Sequence, residues 1–259
     1  MLLEVKDLNI SLTSGKSVAE HISFQLDQGE MLSIVGSSGV GKTTICKAIM
    51  GLLGNAYRAD GEILFQEENL LDLPERKRQA IYGKEICLIM QNPMTAFNPS
   101  IRVGRQLEKT YLLHHGKTPR QEMQRLFAGI LQRLGLEDTQ RILNSYPFTL
   151  SGGMLQRLMI AAALMCQPSL LVADEATTAI DACNRIGLMR ELKSFCKDGM
   201  SVLFVTHDLR SASVSDRILV MDRGRIVEQG KTEQILNTPK EDYTKYLLNA
   251  CRLERREMS

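Results

Sequence analysis

Several things are missing from this chain of 259 residues. An excess of one charge is the first: 32 basic and 30 acidic side chains leave a net charge of +2, with no field to gather a polyanion. A nucleic-acid partner is therefore not expected. Closely spaced cysteines are the second. Those at 46, 87, 166, 183, 196 and 251 form no CxxC pair and none has histidine spacing that suggests zinc. Cys46, Cys87 and Cys166 sit in apolar runs and read as small core residues of a reduced compartment. The third is any long hydrophobic segment. The longest unbroken apolar run, Leu158–Cys166, is far short of the ~20 residues a spanning helix needs. The start, Met1-Leu2-Leu3-Glu4-Val5-Lys6, lacks the basic-then-apolar layout of a signal peptide. If the protein works at a membrane, it docks onto something else. Repeats and low-complexity tracts are absent as well.

What is present is an ordinary globular composition, 44% hydrophobic and 24% charged, long enough for a sizeable α/β core. Ile22, Phe24 and Leu26 alternate with polar residues, the period of a half-buried antiparallel strand. Met31–Val35 is a continuous apolar run ending at Gly36, as buried parallel strands read. From Thr43 the spacing becomes helical, with Ile45, Ile49, Leu52 and Leu53 on one face. Leu170–Ala173 and Val202–Val205 repeat the buried-strand pattern, and Ile218–Glu228 reads as a hairpin turning at Asp222–Arg225. Residues 93–158 are mostly helical. The clearest helix there is expected over 120–136, with Leu126, Ile130, Leu131 and Leu134 on one face. The pattern is that of an α/β chain: a parallel-sheet core, an antiparallel N-terminal part and a helical insert. The stretch 252–257 reads as a solvated helix end or tail.

Gly36-Ser37-Ser38-Gly39-Val40-Gly41-Lys42-Thr43, followed by Thr44, fits the phosphate-binding loop G-x-x-x-x-G-K-[ST] in its required setting, strand before and helix after. Glycines let the backbone curl so that N–H groups point at phosphate oxygens, and the helix aims its positive end there. Lys42 can reach the β/γ phosphates and the Thr43 hydroxyl can ligate Mg²⁺. A chance match in this length is on the order of 1% at average glycine usage, so nucleotide binding is expected.

Leu170–Ala173 delivers Asp174 and Glu175 to a strand end, where ligands of open α/β sheets bind. Asp174 suits Mg²⁺, and Glu175 is free to orient and deprotonate an attacking water. An acidic pair opening a loop is common in isolation; the phosphate loop on the same kind of sheet favours the catalytic reading. A lone histidine is more often structural than catalytic. His207 follows another buried strand, which favours contact with a γ-phosphate or Glu175. Gln91, closing the apolar run Ile86–Met90, can offer its amide oxygen to Mg²⁺ and water. Leu150-Ser151-Gly152-Gly153-Met154 is a second glycine-rich turn far from the first, which suggests a nucleotide gripped from two sides.

In order along the chain, these segments resemble the ATP-binding subunits of ABC transporters. The phosphate loop matches Walker A, Gln91 the Q-loop and Leu150–Arg157 the signature motif. Leu170–Glu175 matches Walker B, Thr178–Asp181 the D-loop and His207 the switch histidine. The resemblance implies a P-loop NTPase (RecA-like) core with an N-terminal antiparallel β subdomain and an inserted helical subdomain at about 93–158. The nucleotide-binding domain would span 3–246, followed by a short tail, 247–259. It implies ATP and Mg²⁺ as ligands. Ser151, Gly152, Gly153 and Asp181 would meet nucleotide across a head-to-tail pair of subunits. It further implies a second, homologous ATPase as partner in a heterodimer, two membrane permease subunits, an extracytoplasmic cargo-binding protein reached indirectly, and a peripheral place on the cytoplasmic face of the membrane.

Within the family, Gln91–Pro99 and Asn237–Thr244 resemble importers of peptides and nickel, with Glu-Asp here where that class has His-Pro before Tyr243. Tyr146-Pro147-Phe148 before a signature ending Met-Leu-Gln-Arg, and the absence of a long cysteine-containing C-terminal extension, lean toward the nickel and metal-chelate importers. A di- or oligopeptide importer is the alternative. A DNA-maintenance ABC ATPase is remote, because no heptad run separates Lys42 from Ser151. Met154 replaces the usual glutamine of the signature, and Ala176 the usual proline after the catalytic glutamate. Most such ATPases stack an aromatic ring on adenine. The matching region, Leu12–Gly15, has none and Val18 offers an apolar contact instead, so the preference for ATP over GTP rests on the resemblance.

Overall fold

A computed structural model describes residues 1–176 and 182–257, with the side chains of 182–183 and 252–257 left out. Strands β1 (Leu3–Leu12) and β2 (Ser17–Leu26) pair antiparallel and lead to β3 (Met31–Val35). The alternation read at Ile22, Phe24 and Leu26 is the buried face of β2. Helix α1 (Lys42–Ile49) follows the phosphate loop. It stops earlier than the apolar spacing suggests. Gly51 takes φ +64° after the helix, and Leu52 stands 56% exposed beyond it.

Strand β4 (Tyr57–Phe65) pairs antiparallel with β1, and the short β5 (Glu68–Asn69) edges that sheet. Helix α2 (Glu75–Ile81) then leads to β6 (Ile86–Ile89). The region 93–158 holds α3 (Val103–His115), α4 (Arg120–Arg133), α5 (Thr139–Asn144) and the start of α6 (Gly152–Met165). Helix α6 passes 158 without a break. Helix α4 ends at Arg133, short of 136, because Gly135 turns the chain at φ +70°. Met123 and Phe127 bury with Ile130 and Leu131 on its inner face, whereas Leu126 is only half-buried. Arg157 of α6 donates to the Leu134 carbonyl at 2.7 Å, so the end of one helix is closed by the side chain of the other.

The remaining elements are β7 (Leu170–Asp174), α7 (Ala182–Cys196), β8 (Ser201–Thr206), α8 (Leu209–Ala212), β9 (Arg217–Asp222), β10 (Arg225–Lys231), α9 (Thr232–Asn237) and α10 (Asp242–Glu257). The second sheet runs β10-β9-β3-β8-β7-β6, parallel throughout except for the β9–β10 hairpin. Its turn, Arg223-Gly224, has φ positive at both residues, as type I′ requires.

Both faces of this sheet are covered, which is why its strands read as continuous apolar runs. Val202 and Phe204 of β8 face the cluster formed with α4, α6 and α7, while Leu203 and Val205 face α1 and the antiparallel sheet. Cys46, Cys87 and Cys166 are buried, as expected. The segment expected as a tail begins inside α10, whose Leu247, Leu248 and Cys251 pack against α8, α9 and β9. Among the described residues no helix is long and apolar enough to cross a membrane.

Candidate nucleotide site

Parallel register gathers the site. Val35 of β3 pairs with Thr206 of β8, Asp174 of β7 with Val205, and Ile89 of β6 with Ala173. One or two residues beyond each strand end the chain therefore presents Gly36, His207, Glu175 and Gln91 along one sheet edge, the edge where ligands of such sheets bind.

Gly36 is held so closely to the end of β9 that a Cβ there would lie 2.3 Å from the Met221 carbonyl oxygen. Gly41 turns at φ +102°, and its Cβ would meet the Val18 carbonyl oxygen at 2.7 Å. Only glycine fits at either position. Lys42, the first residue of α1, is 4% exposed and folds back to donate to the carbonyls of Gly36 (2.7 Å) and Ser37 (2.8 Å). Burial pushes its ammonium pKa down, partly offset by the charges of Glu175 and Asp174.

The Thr43 hydroxyl donates to Asp174 Oδ1 at 3.1 Å. Burial raises the Asp174 carboxyl pKa, with the Thr43 bond acting against it and the neighbouring Glu175 charge adding to it. A hydroxyl and a carboxylate at this spacing, both hard oxygen donors, fit Mg²⁺. Glu175 is gripped from two sides: Gln91 Nε2 donates to Oε2 at 2.7 Å, and His207 Nδ1 lies 3.3 Å from Oε1. Its backbone takes φ +48°, unusual for a residue with a side chain, and is held there by its N–H donating to the Val205 carbonyl at 2.9 Å.

A cavity of about 270 Å³ joins Lys42, Thr43, Thr44, Gln91 and Glu175, and a second of about 510 Å³ lies across Ser37–Val40, lined by Leu12, Val18 and Tyr57. A cavity of about 470 Å³ between α4, α6 and α7 shares no residue with either.

The pattern that defines the ABC transporter family matches residues 19–178. The chain belongs to the ABC transporter family. Membership carries ATP binding and ATP hydrolysis coupled to transport. The chain is similar to the metal-staphylopine import system ATP-binding protein CntD of Staphylococcus aureus strain Mu50, 39% identical over 251 residues that cover 96% of this chain and 92% of the relative. It is also similar to the oligopeptide transport ATP-binding protein OppD of Bacillus subtilis strain 168, 41% identical over 254 residues, 95% of this chain and 71% of the relative. Among solved structures, a dimeric post-hydrolysis state of an ATP-binding cassette bound to ADP and Pi superposes with a TM-score of 0.79 at 26% identity, covering 89% of this chain and 99% of that one.

In this ABC subunit the signature residues stand apart from the phosphate loop. Ser151 caps α6, its Oγ accepting from the Met154 N–H at 3.3 Å, and Ser151 and Gly152 are exposed. None of Ser151, Gly152 and Gly153 lines the two cavities at the phosphate loop. Asp181 lies outside the described residues. Three features escaped sequence reading. Tyr57 brings an aromatic side chain to the cavity beside the loop, because antiparallel register sets it opposite Leu12. Asp208 anchors the segment after His207 through Arg185 at 3.1 Å and Ser211 at 2.7 Å. The Tyr243 hydroxyl bonds the phosphate loop itself.

Proposed function

We propose that this ABC subunit binds and hydrolyses ATP to energise import through two membrane permeases at the cytoplasmic face of the membrane, paired head to tail with a second, homologous ATPase. The observation that carries the catalytic reading is the double grip on Glu175 by Gln91 and His207 beside Thr43 and Asp174. Residues 36–44 cradle the triphosphate, with Lys42 exchanging its two carbonyl partners for β/γ-phosphate oxygens. The base falls toward Leu12, Val18 and Tyr57. Thr43, Asp174 and the Gln91 amide oxygen hold Mg²⁺, which when bound neutralises phosphate charge. Glu175 takes the proton of the water attacking the γ-phosphorus as the bond to the bridging oxygen breaks, and His207 orients that carboxylate.

Ser151 to Gly153 and Asp181 serve the nucleotide held by the partner subunit; the exposure of Ser151 and Gly152 supports this half-site reading. The domain division follows: a nucleotide-binding domain over 3–246 with the helical subdomain at about 93–158. The helical subdomain receives the permease. Met94, Ile101 and Phe148 stand exposed on it, at 57%, 41% and 67%, apolar side chains open to a partner. For cargo, the likeness to CntD and the Tyr146–Phe148 and Met154–Arg157 stretches favour nickel or another metal chelate, carried through the permeases and never touching this subunit. The likeness to OppD favours a peptide equally well.

Glu175→Gln is the test. It should keep ATP affinity within about twofold, lose hydrolysis by roughly 10²-fold or more, and accumulate an ATP-dependent dimer on gel filtration. Normal turnover in that variant would sink the catalytic assignment. Uptake of labelled nickel chelate against labelled dipeptide, in cells carrying wild type or Glu175→Gln, decides the cargo.

A further inference from the structure

The mechanism leaves one contact at the phosphate loop unused. Ser37 N–H donates to the Tyr243 hydroxyl at 3.1 Å, and that hydroxyl donates in turn to Ser37 Oγ at 3.2 Å. Tyr243 belongs to the first turn of α10, more than two hundred residues away in sequence. It is well placed to hold something. The Glu228 carboxylate of β10 accepts the N–H groups of Lys240 (2.8 Å) and Glu241 (3.2 Å), which fixes the start of the helix. Farther along, Arg210 of α8 donates to the Cys251 carbonyl at 2.9 Å. The tyrosine itself packs with Leu247 and Leu248 on the cluster containing Val35, the last residue before the loop.

We infer that Tyr243 is a positioning residue for the phosphate loop, acting through Ser37, so that α10 sets the loop's shape for nucleotide. The physical reason lies in Lys42. Ser37 is clamped from both sides, its carbonyl by Lys42 and its N–H and hydroxyl by Tyr243. When Lys42 turns to phosphate, as the proposed function requires, one clamp is released. Tyr243 is the one that stays. Without it, part of the binding free energy goes into ordering the loop. The same helix touches α8, which directly follows His207-Asp208, so α10 bridges the loop and the segment bearing the histidine.

The test uses the full chain, ATP as ligand, and Tyr243→Phe, which keeps the ring packing. Tyr246→Phe, whose ring stacks near Tyr243 at 6.4 Å, is the control. Tyr243→Phe should weaken ATP binding roughly three- to tenfold, the loss of one or two neutral hydrogen bonds. Hydrogen exchange should quicken in the peptide spanning 31–42 and stay unchanged in α10, while Tyr246→Phe alters neither. Unchanged affinity with unchanged loop exchange overturns the inference. So does tighter ATP binding, which would make the hydroxyl a competitor of phosphate. Weakened binding with lost protection across α10 also overturns it, since the hydroxyl would then serve helix docking. If wild type itself fails to bind ATP, the functional reading falls, and loop exchange in the nucleotide-free chain still judges the tie.

Discussion

Asp208→Ala removes the support beneath His207, and its cost can be worked out from the contacts. The side chain is 17% exposed. Oδ1 caps α8 by accepting the Arg210 N–H at 2.9 Å; Oδ2 accepts the Ser211 hydroxyl at 2.7 Å and Arg185 Nη1 at 3.1 Å. A lost cap costs about 1 kcal/mol. Hydrogen bonds to a charged group contribute about 1.5–3 kcal/mol each, and neighbouring losses overlap. The expected destabilisation is about 3 kcal/mol, or roughly 6–12 °C in Tm for a domain of this size. Urea titration of both chains measures it.

The pH dependence gives a second check. Burial alone would raise the Asp208 carboxyl pKa, yet the bonds from Ser211, the Arg210 amide and Arg185 hold it below the ordinary value. A depressed carboxylate stabilises above its unfolded pKa and loses that contribution as pH falls through the folded one. The wild-type advantage over Asp208→Ala should thus be constant from pH 7 to about 5 and shrink below about 4. An advantage under about 1 kcal/mol at pH 7 would refute the reasoning, as would one already decaying between pH 7 and 5.

Two further outcomes follow from the phosphate site. Lys42→Ala should weaken ATP binding about 100-fold, the loss of a charge-assisted contact, read by fluorescent-nucleotide titration; unchanged affinity would contradict the phosphate-loop reading. The raised pKa of Asp174 means that protons compete with Mg²⁺ at a higher pH than an ordinary aspartate allows. Magnesium-dependent nucleotide affinity should therefore fall on acidification toward pH about 5, and Asp174→Asn should flatten that dependence along with lowering the affinity. A wild-type profile as flat as the variant's would remove Asp174 from the metal.

How much was legible in the sequence depends on how local each feature is. The phosphate loop and Asp174-Glu175 are contiguous, and each glycine and charge answers to its immediate neighbours. Gln91 and His207 stand beside Glu175 because parallel strands end together, so a polar residue after an apolar run lands at the common edge. Helix lengths misled where a single glycine decided them, as Gly51 does after α1 and Gly135 after α4. On α4 Leu126 packs against the core as expected but only half-buried, while Phe127 beside it is buried, since one residue's rotation decides how deep each side chain goes. Asp208 caps its own helix through Arg210 and Ser211, a local signal that the reading passed over. Tyr57 and Tyr243 were invisible for a different reason. Their partners are set by antiparallel register or by packing across the chain, and no spacing rule links Tyr243 to Ser37 or Tyr57 to Leu12.

Helix α6 has a consequence at the scale of the assembly. Its fourteen residues form a strut of about 21 Å, capped at one end by the exposed Ser151 and running at the other through Cys166–Ser169 into β7, the strand that carries Glu175. A buried helix transmits displacement; it does not absorb it. In the proposed pair, pressure from a neighbour's nucleotide on the Ser151 end is delivered to the base of the strand bearing this subunit's own carboxylate. In that pair each hydrolytic centre would then be tied, through a rod inside its own chain, to the filling of the opposite site.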